Sequence, residues 1–339
     1  MKKYNIALIG CGMISKSHFD AIAALENAEL KAVAEVLPQR AETVGRERRC
    51  AWYTDTRTML ENEPDIDVCL ICLPTYLHAE HIALCASYGK AVLCEKPFTL
   101  TVEDAELAAH TIEKTGIPYM TAQVVRFWTG YTKIKEMLDN GEFGELYLSY
   151  FSRCSERQYW GNDWLFDPKR GGGAMFDMMV HDVDYMNYLF GPAKQVYTLA
   201  AKGETDCYDN VFASITFENG HKAIAETAFN MHTGYPFTMY AKIMGSKAAA
   251  ELTYRAGYDI NQRDGALAEL KIFREGQPVE IISPEQYDAY RAEIAYFLGC
   301  LDRGEKPAVV TVEDSIEVIR TVNAIRRSAD TGSIVELRR

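Results

Sequence analysis

Three groups of residues in this chain could do chemistry together. Cys94-Glu95-Lys96-Pro97-Phe98 closes a short apolar run, Ala91-Val92-Leu93, and so sets a cation at the end of a strand. Gly10-Cys11-Gly12-Met13-Ile14-Ser15 follows another apolar run and has the glycine spacing of a dinucleotide turn. Asp177 and His181 stand four residues apart in a segment of helical periodicity, which puts them on one face. Together they suit an enzyme that oxidises an alcohol carbon against a nicotinamide. None suffices alone: a Lys beside a Glu is ordinarily a solvated surface pair, and G-x-G punctuates many strand-to-helix turns.

In the turn, Gly10 permits the sharp change of direction and Gly12 lets the backbone approach a pyrophosphate. Ser15 takes the third glycine's position, where a small residue is enough. Glu35, at the end of the second apolar run, is placed to accept hydrogen bonds from the adenosine ribose and to repel a 2′-phosphate, which favours NAD over NADP. Arg40, Arg46, Arg48 and Arg49 pull the other way, since any of them could meet that phosphate.

The elements that must position these residues follow from hydrophobic patterning. Nearly continuous apolar runs at 5–10, 30–35, 68–73, 91–94 and 119–122 read as buried strands of a parallel sheet. Helical segments at 14–25, 38–48, 79–88 and 102–115 alternate with them, the last opened by Thr101 with Asp104 three residues on and closed by Gly116 and Pro118. The fold class is therefore α/β, with an N-terminal doubly wound Rossmann domain over residues 1–123. From residue 124 the pattern changes to successive strands at 146–152, 195–201, 211–217, 222–229 and 238–244, with Asn219-Gly220 as a hairpin turn. Two helices, 284–301 and 312–329, complete a C-terminal α+β domain, 124–339, built on a mostly antiparallel open sheet, with a cleft between the domains. The outer face of that sheet, over 144–280, has no helix to cover it, and a homodimer or homotetramer is expected.

The segment 174–190 starts after Gly171-Gly172-Gly173 and stops at Gly191-Pro192, like one helix. Met175, Met179, Val183, Met186 and Phe190 form its apolar face, and Asp177, His181 and Asp184 the opposite one, looking into water or a cleft.

Composition excludes other classes. At 339 residues, 48% hydrophobic and 25% charged, the chain can bury a substantial core and is not disordered. A net charge of −12 repels a phosphate backbone, so nucleic acid is not a partner. No run approaches a membrane span, and the N-terminal apolar run lacks a cleavage site, so neither membrane nor export is expected. Nine scattered cysteines, an odd number, fit reduced thiols in the cytoplasm. Cys72, His78, His81 and Cys85 lack the spacing of a metal site, and no metal is expected.

With Pro74-Thr75-Tyr76-Leu77-His78, Glu95-Lys96-Pro97, Trp164 with Asp167-Pro168, the glycine triplet and the Asp177/His181 pair, essentially the whole chain resembles the Gfo/Idh/MocA oxidoreductases, which include glucose–fructose oxidoreductase and inositol dehydrogenases. The resemblance implies a Rossmann domain, a C-terminal α/β domain that builds dimers or tetramers, and catalytic roles for Lys96, Asp177 and His181. On chemical grounds His181 is the base, Asp177 a ligand of a substrate hydroxyl, and Lys96 a cation on the reacting oxygen. Gly10, Gly12, Met13, Ile14, Glu35, Pro74, Thr75, His78, Glu95 and Lys96 are expected at the cofactor. Many relatives have glycine where this chain has Met179.

Arg126, Arg153 and Trp164 join the catalytic three as expected substrate contacts, and Tyr159, Trp160, Asn162 and Asp163 are further candidates, because aromatic faces stack on sugar rings while polar groups read hydroxyls. His232 and Tyr235 could border the cleft. The expected function is an NAD(P)-dependent dehydrogenase or reductase of a sugar, inositol-like polyol or glycoside. The alternatives are an NAD-recycling glycosidase and a non-catalytic dinucleotide sensor.

Overall fold

The computed structural model describes residues 2–156, 164–256, 267–284 and 288–337. In chain order the elements are β1 (Tyr4–Ile9), α1 (Ser15–Ala23), β2 (Ala28–Ala34), α2 (Pro38–Arg48), β3 (Ala51–Tyr53), α3 (Thr56–Asn62), β4 (Val68–Ile71), α4 (His78–Ser87), β5 (Ala91–Glu95), α5 (Val102–Thr115) and β6 (Tyr119–Ala122). There follow α6 (Thr129–Asp139), β7 (Leu146–Glu156), α7 (Val180–Phe190), β8 (Ala193–Lys202), β9 (Tyr208–Phe217), β10 (Lys222–Met231), β11 (Thr238–Gly245), β12 (Ala248–Arg255), β13 (Leu267–Arg274) and β14 (Glu280–Ile282). The chain closes with α8 (Ala289–Arg303), α9 (Val312–Thr331) and β15 (Val335–Glu336). It forms two compact units, residues 1–127 with 288–316, and residues 128–287 with 317–339.

The first unit is the doubly wound fold. Its six strands lie in the order β3-β2-β1-β4-β5-β6, all parallel. β4 and β5 are buried at every position, which is why they read as unbroken apolar runs. The Thr101 cap forms as expected: its Oγ1 accepts the Asp104 N–H at 3.1 Å, and Gly116 ends α5 in the left-handed conformation. β3 and α3 were not legible, since a three-residue edge strand and a two-turn helix are too short to show a period. Helix α8 belongs to this unit: Ile294, Phe297 and Leu298 pack with Phe19 and Ile22 of α1 in one core.

The second unit carries a nine-stranded sheet in the order β14-β13-β12-β11-β7-β10-β9-β8-β15. Only β7 and β10 run parallel, and the remaining neighbours are antiparallel. The β9–β10 hairpin turns at Asn219-Gly220, where Gly220 has φ +88° and the Asn219 side chain accepts the His221 N–H. α6 was not anticipated; its apolar side, Tyr131, Ile134 and Met137, is fully buried. Among the described residues no helix is long and apolar enough to cross a membrane.

Candidate active site

The first unit presents its turns at the carboxyl ends of the strands, where open α/β sheets bind ligands. Between β1 and α1, Gly10 has φ +92°, and a Cβ there would stand 2.7 Å from the Cys72 carbonyl oxygen. Gly12 meets neither constraint. A Cβ at Gly12 would meet nothing within 4 Å beyond its chain neighbours, so the backbone there is open to close approach, and a pyrophosphate fits. Ser15 is buried and its Oγ donates to the Gly12 carbonyl at 2.5 Å, closing the turn with a small side chain in the third glycine's place. Met13 is exposed beside Gly12 and Ile14 half-buried, and Val36, Leu37 and Tyr76 add exposed apolar surface on the turns after β2 and β4.

Glu35 follows β2 and is buried. Its two oxygens accept the N–H groups of Cys11 and Leu37, each at 3.0 Å, and the Arg40 guanidinium lies 3.5 Å from Oε2. The carboxylate is thereby fixed, and its remaining lone pairs can accept from a ribose diol. Its charge beside Cys11 reinforces what burial does, and the Cys11 thiol is pushed up to about 12, so it stays protonated.

Lys96 follows β5 and is half-buried. Glu95 and His78, expected at the cofactor, are turned into the protein instead. Glu95 Oε1 lies 2.7 Å from His18 Nε2, and Oε2 accepts the Lys96 N–H at 3.0 Å. His78 is wholly buried, with Nδ1 2.8 Å from the Pro97 carbonyl and Nε2 2.9 Å from the Leu73 carbonyl. It ties the turn after β4, with half-buried Pro74 and buried Thr75, to the turn after β5. Burial pushes its imidazole below the ordinary range. His18 has no signal in the sequence beyond a histidine on a helix, and only the packing reveals its partner.

In the second unit the glycine triplet is sterically required. Gly172 and Gly173 have φ +76° and +65°; a Cβ on the first would stand 2.4 Å from the Phe176 ring and on the second 2.4 Å from Cys207 Cβ. The helix that follows opens as a π-helical segment, Met175–Met179, before continuing as α7. Such wide turns gather at functional sites. This one contains Asp177 and the buried Met179.

From Ala174 to Met186 every residue is buried except Asp177 and His181, which are half-exposed. His181 Nδ1 is turned inward. Asp184 departs from the expected polar face and is buried, because packing encloses that turn of the helix on all sides.

The two arginines expected at the substrate are structural. Arg153 is buried in a two-pronged pair with Asp182, its Nε and Nη2 donating at 3.0 and 2.9 Å. Burial pushes the Asp182 carboxyl up against the pull of the guanidinium, which itself stays charged. Arg126 is buried and donates from Nη1 to the Val309 carbonyl and to Asp314 at 2.5 and 3.0 Å. Trp164 is half-buried and packs with Phe166 and Phe237 on Leu165, Ala174, Met178 and Phe229, beneath the Asp177 turn. Tyr159, Trp160, Asn162 and Asp163 lie outside the described residues.

Two family signatures match this chain. Residues 4–123 match the oxidoreductase family with an NAD-binding Rossmann fold, and residues 131–251 match the GFO/IDH/MocA C-terminal domain. The chain belongs to the GFO/IDH/MocA oxidoreductases and is an NAD(P)-dependent oxidoreductase. Among similar proteins, inositol 2-dehydrogenase of Rhizobium meliloti is 29% identical over 334 residues, covering 95% of each chain. D-xylose 1-dehydrogenase (NADP(+)) 2 of Haloferax volcanii is 29% identical over 329 residues, covering 96% of this chain and 97% of that one. A levoglucosan dehydrogenase solved with NADH and L-sorbose has the same fold, with a TM-score of 0.87 at 23% identity over the full length of both chains.

Proposed function

We propose that this protein is an NAD-dependent dehydrogenase of a secondary alcohol on a sugar, an inositol-like polyol or a glycoside, with Lys96, Asp177 and His181 as its catalytic residues. The observation that carries the proposal is the pattern of exposure on the Asp177/His181 helix: thirteen residues in which an acid and an imidazole alone escape burial. Bound NAD supplies the hydride acceptor. His181 takes the hydroxyl proton, as a neutral imidazole can at physiological pH. Asp177 accepts a hydrogen bond from a substrate hydroxyl and orients the ring. The Lys96 ammonium donates to the reacting oxygen and stabilises its alkoxide character in the transition state.

Glu35 supports NAD over NADP, since a 2′-phosphate would stand against a fixed carboxylate; Arg40 beside it offsets part of that repulsion. The relatives named for inositol and xylose support the substrate class. The open sheet face, with Leu199, Phe212, Ile224 and Tyr197 41–62% exposed on β8–β10, supports a homo-oligomer. Nine free thiols suit the cytoplasm.

The test is a nicotinamide absorbance screen with NAD and NADP against inositols, pentoses, hexoses and anhydrosugars, followed by variants on the substrate found. Lys96→Met and His181→Ala are each expected to lower kcat by on the order of a hundredfold while NADH still binds, and Asp177→Asn to harm KM as well. Near-normal turnover in Lys96→Met would overturn the assignment. Glycoside cleavage without net NADH release would point to the redox-recycling alternative.

A further inference from the structure

The turn that presents Lys96 is supported from inside by a pair of residues that the reaction itself does not call for. Glu95 is 6% exposed and His18 0%, and neither reaches solvent to serve as an ordinary surface charge. Burying a carboxylate costs several kcal/mol unless it is well partnered, so its partners indicate what it is for. Among the described residues these are His18 Nε2 at 2.7 Å on one oxygen and the backbone N–H of Lys96 at 3.0 Å on the other. His18 Nδ1 is buried with no hydrogen-bond partner, so the proton belongs on Nε2, where it is donated to Glu95. The ring is held edge-on by Tyr290 of α8 at 5.2 Å between centroids.

We propose that Glu95 and His18 are positioning residues for Lys96: His18 orients the buried carboxylate, and the carboxylate holds the Lys96 amide and so the point from which the ammonium extends. The proposal rests on the catalytic reading of Lys96 given above. A displacement of about 1 Å at a reacting group can cost up to about a hundredfold in rate, so a backbone clamp at this residue is worth its burial. Other groups stand around Glu95. Cys72 after β4, Cys94 on β5 and His78 at the start of α4 all feel its charge, and Glu293 of α8 also acts on Cys72. Both thiols are held far above the ordinary range by burial, so neither supplies a competing anion. Glu293 is a second carboxylate in the same region and enters the test as a control.

The experiment uses the full chain labelled with 15N-lysine, with the Lys96 amide signal identified by its loss in Lys96→Arg. Its shift and hydrogen-exchange rate are followed against pH. In His18→Leu the carboxylate loses its donor, and the Lys96 signal is expected to move and its exchange to quicken relative to the parent protein. Glu95→Ala is expected to reproduce that change, whereas Glu293→Gln leaves the signal in place. His18→Gln, which keeps a donor, is expected to restore the parent signal in part and carries the test if His18→Leu does not fold. On the substrate from the screen, His18→Leu is expected to lower kcat roughly tenfold to a hundredfold with NADH affinity unchanged. A Lys96 signal that overlays the parent at every pH in His18→Leu, or in His18→Gln should the first not fold, overturns the proposal. A shifted Lys96 signal together with full turnover in Lys96→Met leaves the clamp standing and removes the catalytic reading instead.

Discussion

Replacing Asp182 by Asn tests what holds the Asp177/His181 helix in place. Asp182 and Arg153 are 0% and 3% exposed and joined by two hydrogen bonds, so the substitution leaves a guanidinium in the interior with an uncharged partner. Breaking a buried pair from one side costs about 3–5 kcal/mol, mostly as the desolvation of the charge left behind. For a unit of this size each kcal/mol shifts a thermal midpoint by about 2–4 °C, so Asp182→Asn is expected to lower it by about 6–20 °C. The assay is thermal denaturation followed by circular dichroism, alongside the double variant Arg153→Met with Asp182→Leu. Removing both charges is expected to recover much of the loss, because an apolar pair of similar volume is close to neutral. Below the unfolding temperature Asp182→Asn is also expected to lose turnover, since Asp182 adjoins His181 in sequence and its tether to β7 sets the rotation of the helix. A single variant within about 2 °C of the parent, or a double variant no better than the single, would refute the account of a buried, mutually dependent pair.

Glu35→Ser is expected to narrow the preference for NAD over NADP, measured as the ratio of the two dissociation constants by NAD(P)H fluorescence; equal affinities in the parent protein would remove Glu35 from that role. Burial holds His78 and His221 below the ordinary histidine range. A base with a lowered folded pKa binds fewer protons folded than unfolded below about pH 6.5, so stability is expected to be intact above that pH and to fall as pH drops through the window beneath it. His221→Phe is expected to flatten part of that slope in denaturant melts, and an unchanged slope would count against it. Leu199→Lys with Phe212→Lys, on neighbouring registered positions of β8 and β9, is expected to dissociate a homo-oligomer in light scattering at micromolar concentration. A parent protein already monomeric there would refute that interface.

Much of this protein is determined by local pattern and can be read without coordinates. Continuous apolar runs made β1, β4 and β5 legible as buried parallel strands, because a strand enclosed on both faces has no polar alternation to obscure it. Gly10, Gly172 and Gly173 announced their turns, since positive φ and close backbone contact leave few other residues possible. The spacing of Asp177 and His181 placed them on one side of a helix. What tertiary structure alone decided is which polar residues serve the interior. Arg126, Arg153, Glu95 and His78 have the composition of site residues, yet all four are committed to partners brought from elsewhere in the chain: Asp314, Asp182, His18 and the Leu73 and Pro97 carbonyls. Apart from the Leu73 carbonyl, 5 residues from His78, these partners lie 19 to 188 residues away, and a buried charge takes whatever partner the fold delivers to it, so local spacing does not mark these residues as interior.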